Sequence, residues 1–288
     1  MSMKIRLIIL LGLIGLGLNP ALAEAPVAMV TDVQGDVRLA GQPVNLLAEL
    51  SAGSTLDLAA DASLKLVFYR SGKEFDLPGG VQAVLVEEQV QVDGQPLAGE
   101  ALLLSSEGAM LSSAQLSQAA VLMRKAMPQE QVIELTYPVA STILEPRPIF
   151  SWRVHGQSEK DFSYRLEILS EQGKSLFIGN SDIGRFRLPK DVELPQGERL
   201  TWELEAKQGE DMIFSTADFS IATNQQADRV DQISAELGED FARRLTFARY
   251  LEANGFRHDA LNSWSKLSAQ RPDSEALRAK VAELAGPR

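Results

Sequence analysis

The chain of 288 residues contains no cysteine, and its 39 acidic and 28 basic residues give it a net charge of −11. Without cysteine it can form no disulfide, thiol nucleophile, cysteine-ligated metal site or lipid anchor on a cysteine. An acidic chain with no cluster of Lys and Arg is repelled by nucleic acid and by anionic membrane surfaces. We therefore expect a folded protein that has no nucleic-acid partner.

Residues 1–23 have the pattern of a secretory signal peptide. Lys4 and Arg6 precede an apolar run of 12 residues over 7–18, and Ala21-Leu22-Ala23 supplies the small residues of a cleavage site. The run is shorter than the roughly 20 residues of a membrane-spanning helix. We predict cleavage after Ala23, a periplasmic location and no membrane span in the cleaved protein. An uncleaved N-terminal anchor is the alternative.

Residues 24–111 alternate between apolar and polar side chains in short runs separated by turns, a pattern typical of an all-β sandwich, roll or barrel. A strand that contains Val30 is predicted to turn tightly at Gln34-Gly35-Asp36 and to return over Val37–Leu39. Further strands are predicted at Leu56–Leu58, Leu64–Phe68 and Glu74–Leu77 and within Val84–Val92, with turns at Pro78-Gly79-Gly80 and Asp93-Gly94.

Three segments of this region resemble the FecR-like periplasmic domain, over residues 27–112. They are V-x-x-V-x-G-D-V-R-L at Val30–Leu39, L-x-A-G-S-T-L at Leu50–Leu56, and A-S-L-K-L-V-F-Y-R-S-G-K-E-F-D-L at Ala62–Leu77. The resemblance implies a shared β module. In FecR-type regulators a sigma-factor-binding segment and a membrane helix precede this domain. This sequence has neither pattern there, so the resemblance does not imply their signalling role.

Residues 112–131 change to a helical period. Leu116, Ala120, Met123 and Met127 form one stripe, which Pro128 ends. We predict a connector helix that packs on a neighbouring domain, with a partner-binding helix as the alternative.

Residues 132–223 return to strand alternation and contain more aromatic side chains. The apolar residues that share one face of each predicted strand are Phe150, Trp152 and Val154, then Tyr164, Leu166 and Ile168, then Trp202, Leu204 and Ala206. Over 137–223 the F-S-W, Y-R-L-E-I and L-T-W-E-L-E-A strands resemble a fibronectin type III or related immunoglobulin-like sandwich. The alternation predicts Trp152 and Trp202 as core residues rather than as a sugar-stacking pair.

Residues 224–288 are predicted to be helical. One apolar stripe contains Ile233, Leu237, Phe241, Leu245 and Ala248, and after Gly255 a second contains Ala260, Trp264 and Leu267 and ends at Pro272, before a third helix. The order of Ala248, Gly255, Ala260, Trp264 and Pro272 resembles a single tetratricopeptide repeat over 240–272. An array of such repeats needs about three of them to bury its faces. This hairpin is therefore expected to pack on the β domains or on another protein.

No pattern in the sequence predicts a reaction centre. His155 and His258 have no acidic neighbour at a metal-ligand spacing, and we expect both at the surface. The acidic pairs Glu87-Glu88 and Asp57/Asp61 lack the loop pattern of a calcium site and are expected to be solvated. We predict no catalytic residue, no cofactor and no metal ion.

The predicted fold is mainly β with a C-terminal α region: a FecR-like β domain, a connector helix, a fibronectin type III-like sandwich and a helical hairpin. The predicted function is that of an exported, non-enzymatic interaction or scaffold protein of the bacterial cell envelope, with a protein partner. The candidate partner surface is formed by the aromatic residues of the tail, Phe241, Phe247, Tyr250, Phe256 and Trp264. A cell-wall or carbohydrate binder, or a hydrolase with dispersed carboxylates, is the alternative function. Docking of the tail on the chain's own sandwich is the alternative to an external partner.

Overall fold

The computed structural model describes residues 25–102, 133–156 and 158–286. This part of the chain is mainly β, with α-helices at its C-terminal end, as the sequence predicts. The predicted signal peptide (1–23) and connector helix (112–131) lie outside the described residues. Among the described residues, no α-helix combines the length and the apolar character that a bilayer crossing requires.

The first β module (residues 25–102) consists of two antiparallel sheets that share one core. Its strands are β1 (Pro26–Gln34), β2 (Val37–Leu39), β3 (Gln42–Pro43), β4 (Glu49–Ser51), β5 (Thr55–Leu58), β6 (Ser63–Phe68), β7 (Lys73–Leu77), β8 (Gln82–Val86), β9 (Gln89–Val92), β10 (Gln95–Pro96) and β11 (Glu100–Ala101). One sheet has the order β11-β7-β6-β1-β4 and the other β10-β9-β8-β5-β2-β3. Leu66 and Phe68 of the first sheet meet Leu56 and Leu85 of the second in the core.

The strand, tight turn and following strand predicted around Gly35 are present, but the turn connects the two sheets and the two strands do not pair with each other. β1 pairs with β4 and β6, whereas β2 pairs with β3 and β5. Gly35 has a φ of 71°, and a Cβ at this position would lie 2.8 Å from the Cα of Ala62. Both the positive φ and the lack of room for a Cβ therefore require glycine at position 35. A hairpin turn has the same requirement, which is why the sequence did not distinguish the two connections.

Two other turns join neighbouring strands of one sheet. The run Val84–Val92 is divided into β8 and β9 by a turn at Glu87-Glu88. Asp93 and Gly94 link β9 to β10, with φ values of 49° and 77°. Positive φ at both central residues is the requirement of a type I′ hairpin, so the turn predicted at Asp93-Gly94 is confirmed.

The second β module (residues 133–223) also contains two sheets. Its strands are β12 (Ile133–Tyr137), β13 (Ser141–Ile143), β14 (Ile149–Val154), β15 (Ser163–Leu169), β16 (Ser175–Ser181), β17 (Arg185–Arg187), β18 (Arg199–Gln208) and β19 (Asp211–Ile221), with a short 3-10 helix at Glu159–Asp161. A three-stranded sheet has the order β12-β14-β17 and a five-stranded sheet the order β13-β19-β18-β15-β16. All pairs are antiparallel except β13 with β19.

Aromatic side chains fill the core between these two sheets. Trp152 from the three-stranded sheet and Trp202 from the five-stranded sheet are both buried, which confirms their prediction as core residues. The ring of Phe150 meets that of Trp202 edge to face, with centroids 5.1 Å apart. Such contacts add about 0.5–1.5 kcal/mol to the stabilisation from burial.

Four helices follow in the described tail: α1 (Asn224–Glu236), α2 (Phe241–Ala253), α3 (Arg257–Gln270) and α4 (Glu275–Ala285). The stripe predicted as continuous from Ile233 to Ala248 is divided between α1 and α2. Gly238 takes a φ of 55°, and the carboxylate of Asp240 caps α2 by accepting the N–H of Arg243 at 3.0 Å. α2 and α3 pack against each other as the predicted hairpin around Gly255.

Candidate functional site

The aromatic residues predicted as a partner surface are enclosed by the chain itself. Trp264 is fully buried, and Phe247 is 9% exposed. Phe256 and Tyr250 lie between these values, and Phe241 is partly buried against the same core. As the structure places them, these five side chains form no free surface, and this corrects the expectation from the sequence.

The physical reason is that the helices cover the outer face of one sheet of the first β module. Met29 on β1 and Val67 on β6 point away from the core between the two sheets and share a core with Trp264 and Leu245. Burial of each large apolar side chain stabilises this arrangement by roughly 1.5–3 kcal/mol. The tail therefore docks on its own chain, and it does so mainly on the first β module rather than on the second.

Ion pairs surround this docking interface. Lys65 Nζ lies 3.0 Å from Asp240 Oδ2, Arg271 Nη1 lies 2.7 Å from Asp32 Oδ1, and Arg243 Nη2 lies 2.8 Å from Glu100 Oε1. The guanidinium of Arg271 also lies over the ring of Phe241, 3.6 Å from its centroid. Partly exposed pairs of this kind contribute about 0–1 kcal/mol each, so they orient the tail more than they hold it.

Asp240 both caps α2 and pairs with Lys65. Burial acts to raise the pKa of Asp240, but the N–H of Arg243 and the ammonium of Lys65 outweigh it and leave that pKa below its usual value. The hydrogen bond to Asp240 is the main reason that the pKa of Lys65 is raised. Both shifts favour the charged forms, so the pair stays ionised at neutral pH.

Glu74 is buried next to this pair. Burial raises the pKa of its carboxyl group, against the attraction of Lys65 and Arg243. Its Oε2 atom accepts no hydrogen bond from the described residues. A perturbed buried carboxyl is a common sign of a functional site. Here burial at the docking interface is the main cause of the raised pKa, which needs no ligand to explain it.

His258 connects the helices to the second β module. Its Nε2 atom accepts the N–H of Val139 at 3.1 Å, and its ring contacts that of Tyr137 with centroids 4.7 Å apart. Burial, followed by the charge of Arg257, lowers the pKa of His258. His155 is exposed, as predicted. His258 is half-buried beside the β12–β13 connection, so it is less open to solvent than the sequence predicts.

A small cavity of about 90 Å³ lies where the helices meet the first β module. Its lining residues are Met29, Leu47, Glu49, Arg249, Trp264 and Lys280. Glu252 lies beside it, where its carboxylate accepts the Trp264 indole N–H at 3.2 Å and pairs with Arg249 at 3.1 Å and Lys280 at 3.3 Å. The charged groups next to this space already have partners within the chain, which suits a structural polar network better than a substrate site.

The outer face of the five-stranded sheet carries the most exposed apolar side chains of the second β module. Phe214 and Met212, on β19, are 63% and 54% exposed. They lie opposite Glu205 and Lys207 of β18, so charged groups border the apolar pair. Sequence reasoning missed this pair. The alternation of side chains along Met212–Ala217 could have predicted a strand. It could not have shown which face of that strand is covered.

An open groove of about 250 Å³ lies on the same sheet. Its lining residues are Ser163, Tyr164, Arg165, Asn180, Ser181, Asp182, Glu205 and Lys207. Two carboxylates, Asp182 and Glu205, are among them, together with two cations. A general acid for glycoside hydrolysis needs an apolar enclosure that raises its pKa. The polar lining of this groove does not provide one, so the groove favours polar contacts over acid catalysis.

No cluster of His, Asp and Glu that would suit a metal ion occurs within residues 25–102, 133–156 and 158–286. No family model matches the chain, and no curated protein matches it. A solved structure of β-glucuronidase from Parabacteroides merdae is similar over 32% of this chain and 13% of its own, at 12% identity and a TM-score of 0.23. A second structure of that enzyme, with glycerol in its active site, is similar over 31% and 13%, at 12% identity and a TM-score of 0.22. This chain thus spans a small part of the enzyme's length, and similarity at this level assigns neither fold nor activity.

Proposed function

We propose that the protein is an exported, non-enzymatic interaction or scaffold protein of the bacterial cell envelope, and that its partner is a protein bound by the second β module. The secretory pattern of residues 1–23 supports export to the periplasm. In this proposal residues 24–111 are a FecR-like β domain, 132–223 a fibronectin type III or immunoglobulin-like sandwich, and 224–288 a tetratricopeptide-like hairpin with additional helices.

The exposure of Phe214 and Met212 carries this proposal. Large apolar side chains next to each other on an exposed sheet face favour a protein contact, because a partner removes their apolar surface from water. Glu205 and Lys207 lie opposite them on β18, and charges around an apolar centre give such a contact its orientation. The tail supports the proposal indirectly, since its aromatic side chains are already used to hold the first β module.

A glycan-binding alternative would use flat, exposed aromatic platforms. The three tryptophans, Trp152, Trp202 and Trp264, are all buried, so none of them can serve as such a platform.

The test is photo-crosslinking in intact cells from a reactive side chain placed at position 214. We expect one defined protein to be joined to it, and we expect Phe214→Glu to abolish copurification of that protein. The control position is 86, since Val86 is 41% exposed on the first β module. A chain that crosslinks to no defined protein from position 214, or a partner that Phe214→Glu does not release, would refute the proposal.

A further inference from the structure

Strand β16 is a free edge of the second β module. It is the outer strand of the five-stranded sheet, and within the described residues its only strand partner is β15. Its seven residues, S-L-F-I-G-N-S over Ser175–Ser181, include no charged residue and no proline. From Phe177 to Ser181 its pairing with β15 has no bulge. Unpaired N–H and C=O groups along such a strand are a template for a further strand.

Three other edge strands in the described chain have features that prevent pairing. β3 and β10, at the two edges of one sheet, are two residues long, and each ends in a proline, Pro43 and Pro96. β17, at the edge of the three-stranded sheet, has three residues and an arginine at each end. Short length, proline and charge are the usual protections of a sheet edge. β16 lacks all three.

This edge also exposes two large apolar side chains. Ile178, the central residue of β16, is 48% exposed, and Ile183, just beyond its end, is 51% exposed. An isoleucine at the centre of an edge strand is suited to packing against an apolar residue of an incoming strand. The edge therefore offers both backbone hydrogen-bonding groups and apolar contact.

The charged residues at the two ends of β16 indicate that the added strand is a second copy of β16. Lys174 precedes the strand and Asp182 follows it, each four positions from Ile178. In an antiparallel pair of two β16 strands centred on Ile178, Lys174 of each copy comes opposite Asp182 of the other. Neither residue forms an ion pair with another of the described residues, and both are exposed. The edge is thus complementary in charge to a second copy of itself.

We propose that two copies of this chain associate through β16, antiparallel and around a two-fold axis at Ile178, so that their five-stranded sheets become one continuous sheet. An isologous contact of this kind closes on itself and gives a dimer, not a fibre. The proposal goes beyond the proposed function and uses a different part of the sheet, because β18 and β15 separate β19 from β16. A variant that abolishes the contact at β19 therefore leaves the contact at β16 intact, and the two can be measured separately.

The experiment is sedimentation equilibrium of the purified full protein over a concentration series. We expect a monomer–dimer equilibrium with a dissociation constant between about 1 μM and 1 mM. Ile178→Lys places two lysines opposite each other at the axis and should weaken the dimer about tenfold or more. Phe214→Lys is the matched control on the same sheet, and it should leave the dissociation constant unchanged.

A charge exchange tests the register itself. Lys174→Asp alone should weaken the dimer about tenfold, because the substituted carboxylate of each copy then lies opposite the carboxylate of Asp182 of the other. Adding Asp182→Lys restores opposite charges and should return the dissociation constant to within about threefold of the parent value. Since both positions are exposed, neither change is expected to unfold the chain. A parent that remains monomeric at about 1 mM, a dimer unaffected by Ile178→Lys, or a double variant no tighter than Lys174→Asp would overturn the proposal.

Discussion

The two β modules differ in what covers the surfaces that their sheets leave open. In the first, the helices bury the outer face of one sheet, and the edge strands β3 and β10 are short and end in proline. In the second, Phe214 and Met212 remain exposed on a sheet face, and β16 is an unprotected edge. Similar strand patterns thus give surfaces with different roles, depending on what a distant segment covers. Both of the contacts that we propose lie on the second β module for this reason.

The largest expected effect is the difference in stability between a variant of the tail, Trp264→Ala, and a variant of the second β module, Phe214→Ala. Trp264→Ala removes a fully buried ring from the core shared by the helices and the first β module. We expect it to lower the free energy of unfolding by about 3–5 kcal/mol. Phe214→Ala, at a side chain that is mostly exposed, should change it by less than about 0.5 kcal/mol. Denaturant titration of both variants measures the difference.

If Trp264→Ala were tolerated as well as Phe214→Ala, the tail would not be part of the first module's core. The comparison between the two modules would then fail, and the tail aromatics would again be candidates for an external contact.

A smaller effect concerns the polar rim of the docked tail. Asp240→Ala removes both the cap of α2 and the ion pair with Lys65, and should cost about 1–2 kcal/mol of stability. Asp240→Asn keeps a capping side chain and removes only the charge, so it should cost about 0–1 kcal/mol. The matched control is Ser274→Ala. It removes the capping side chain of α4, which forms no ion pair. Equal losses for the two Asp240 variants would show that the cap contributes nothing beyond the charge pair.

Alternation and turn residues were enough to predict about half of the described strands, and β16 and β19 were not among them. Phe150, Trp152 and Trp202 alternate with polar neighbours, and each side chain is buried where that alternation puts it. Which strands pair with each other was less predictable, because the sequence around Gly35 suits a hairpin and a sheet-to-sheet connection equally well. The break at Gly238 was missed because the apolar spacing on either side of it continues in phase.

The candidate surface was less predictable than the fold. Whether Trp264 is covered depends on Met29 and Val67, which are remote in sequence and project from the outer face of another module. Val67 and Phe68 are consecutive and both buried, a departure from alternation that indicates a strand covered on both faces. That signal was present in the sequence. The identity of the covering segment was not, because burial against a distant element leaves no local pattern.

The smallest expected effect concerns the contact of the tail with the second β module, and it depends on pH. The lowered pKa of His258 means that the folded chain binds fewer protons than the unfolded chain once the pH falls below the ordinary value of 6.5. The stabilisation is therefore complete above that pH and is lost as the pH falls towards the folded-state pKa. Protonation also removes the acceptor that holds the N–H of Val139, next to the cation of Arg257. Asp259, whose pKa burial raises, acts with the opposite sign nearer the ordinary carboxyl range.

His258→Gln tests this dependence, since glutamine retains an acceptor and does not titrate. Between about pH 7.5 and 5.5 the parent should lose roughly 0.5–1.5 kcal/mol more stability than His258→Gln, the range expected for one hydrogen bond. The control is His155→Gln, which removes an exposed histidine from the second β module and should follow the parent. The measurement is the free energy of unfolding at both pH values. Parallel losses in the parent and in His258→Gln would mean that protonation of His258 does not weaken the contact at Val139.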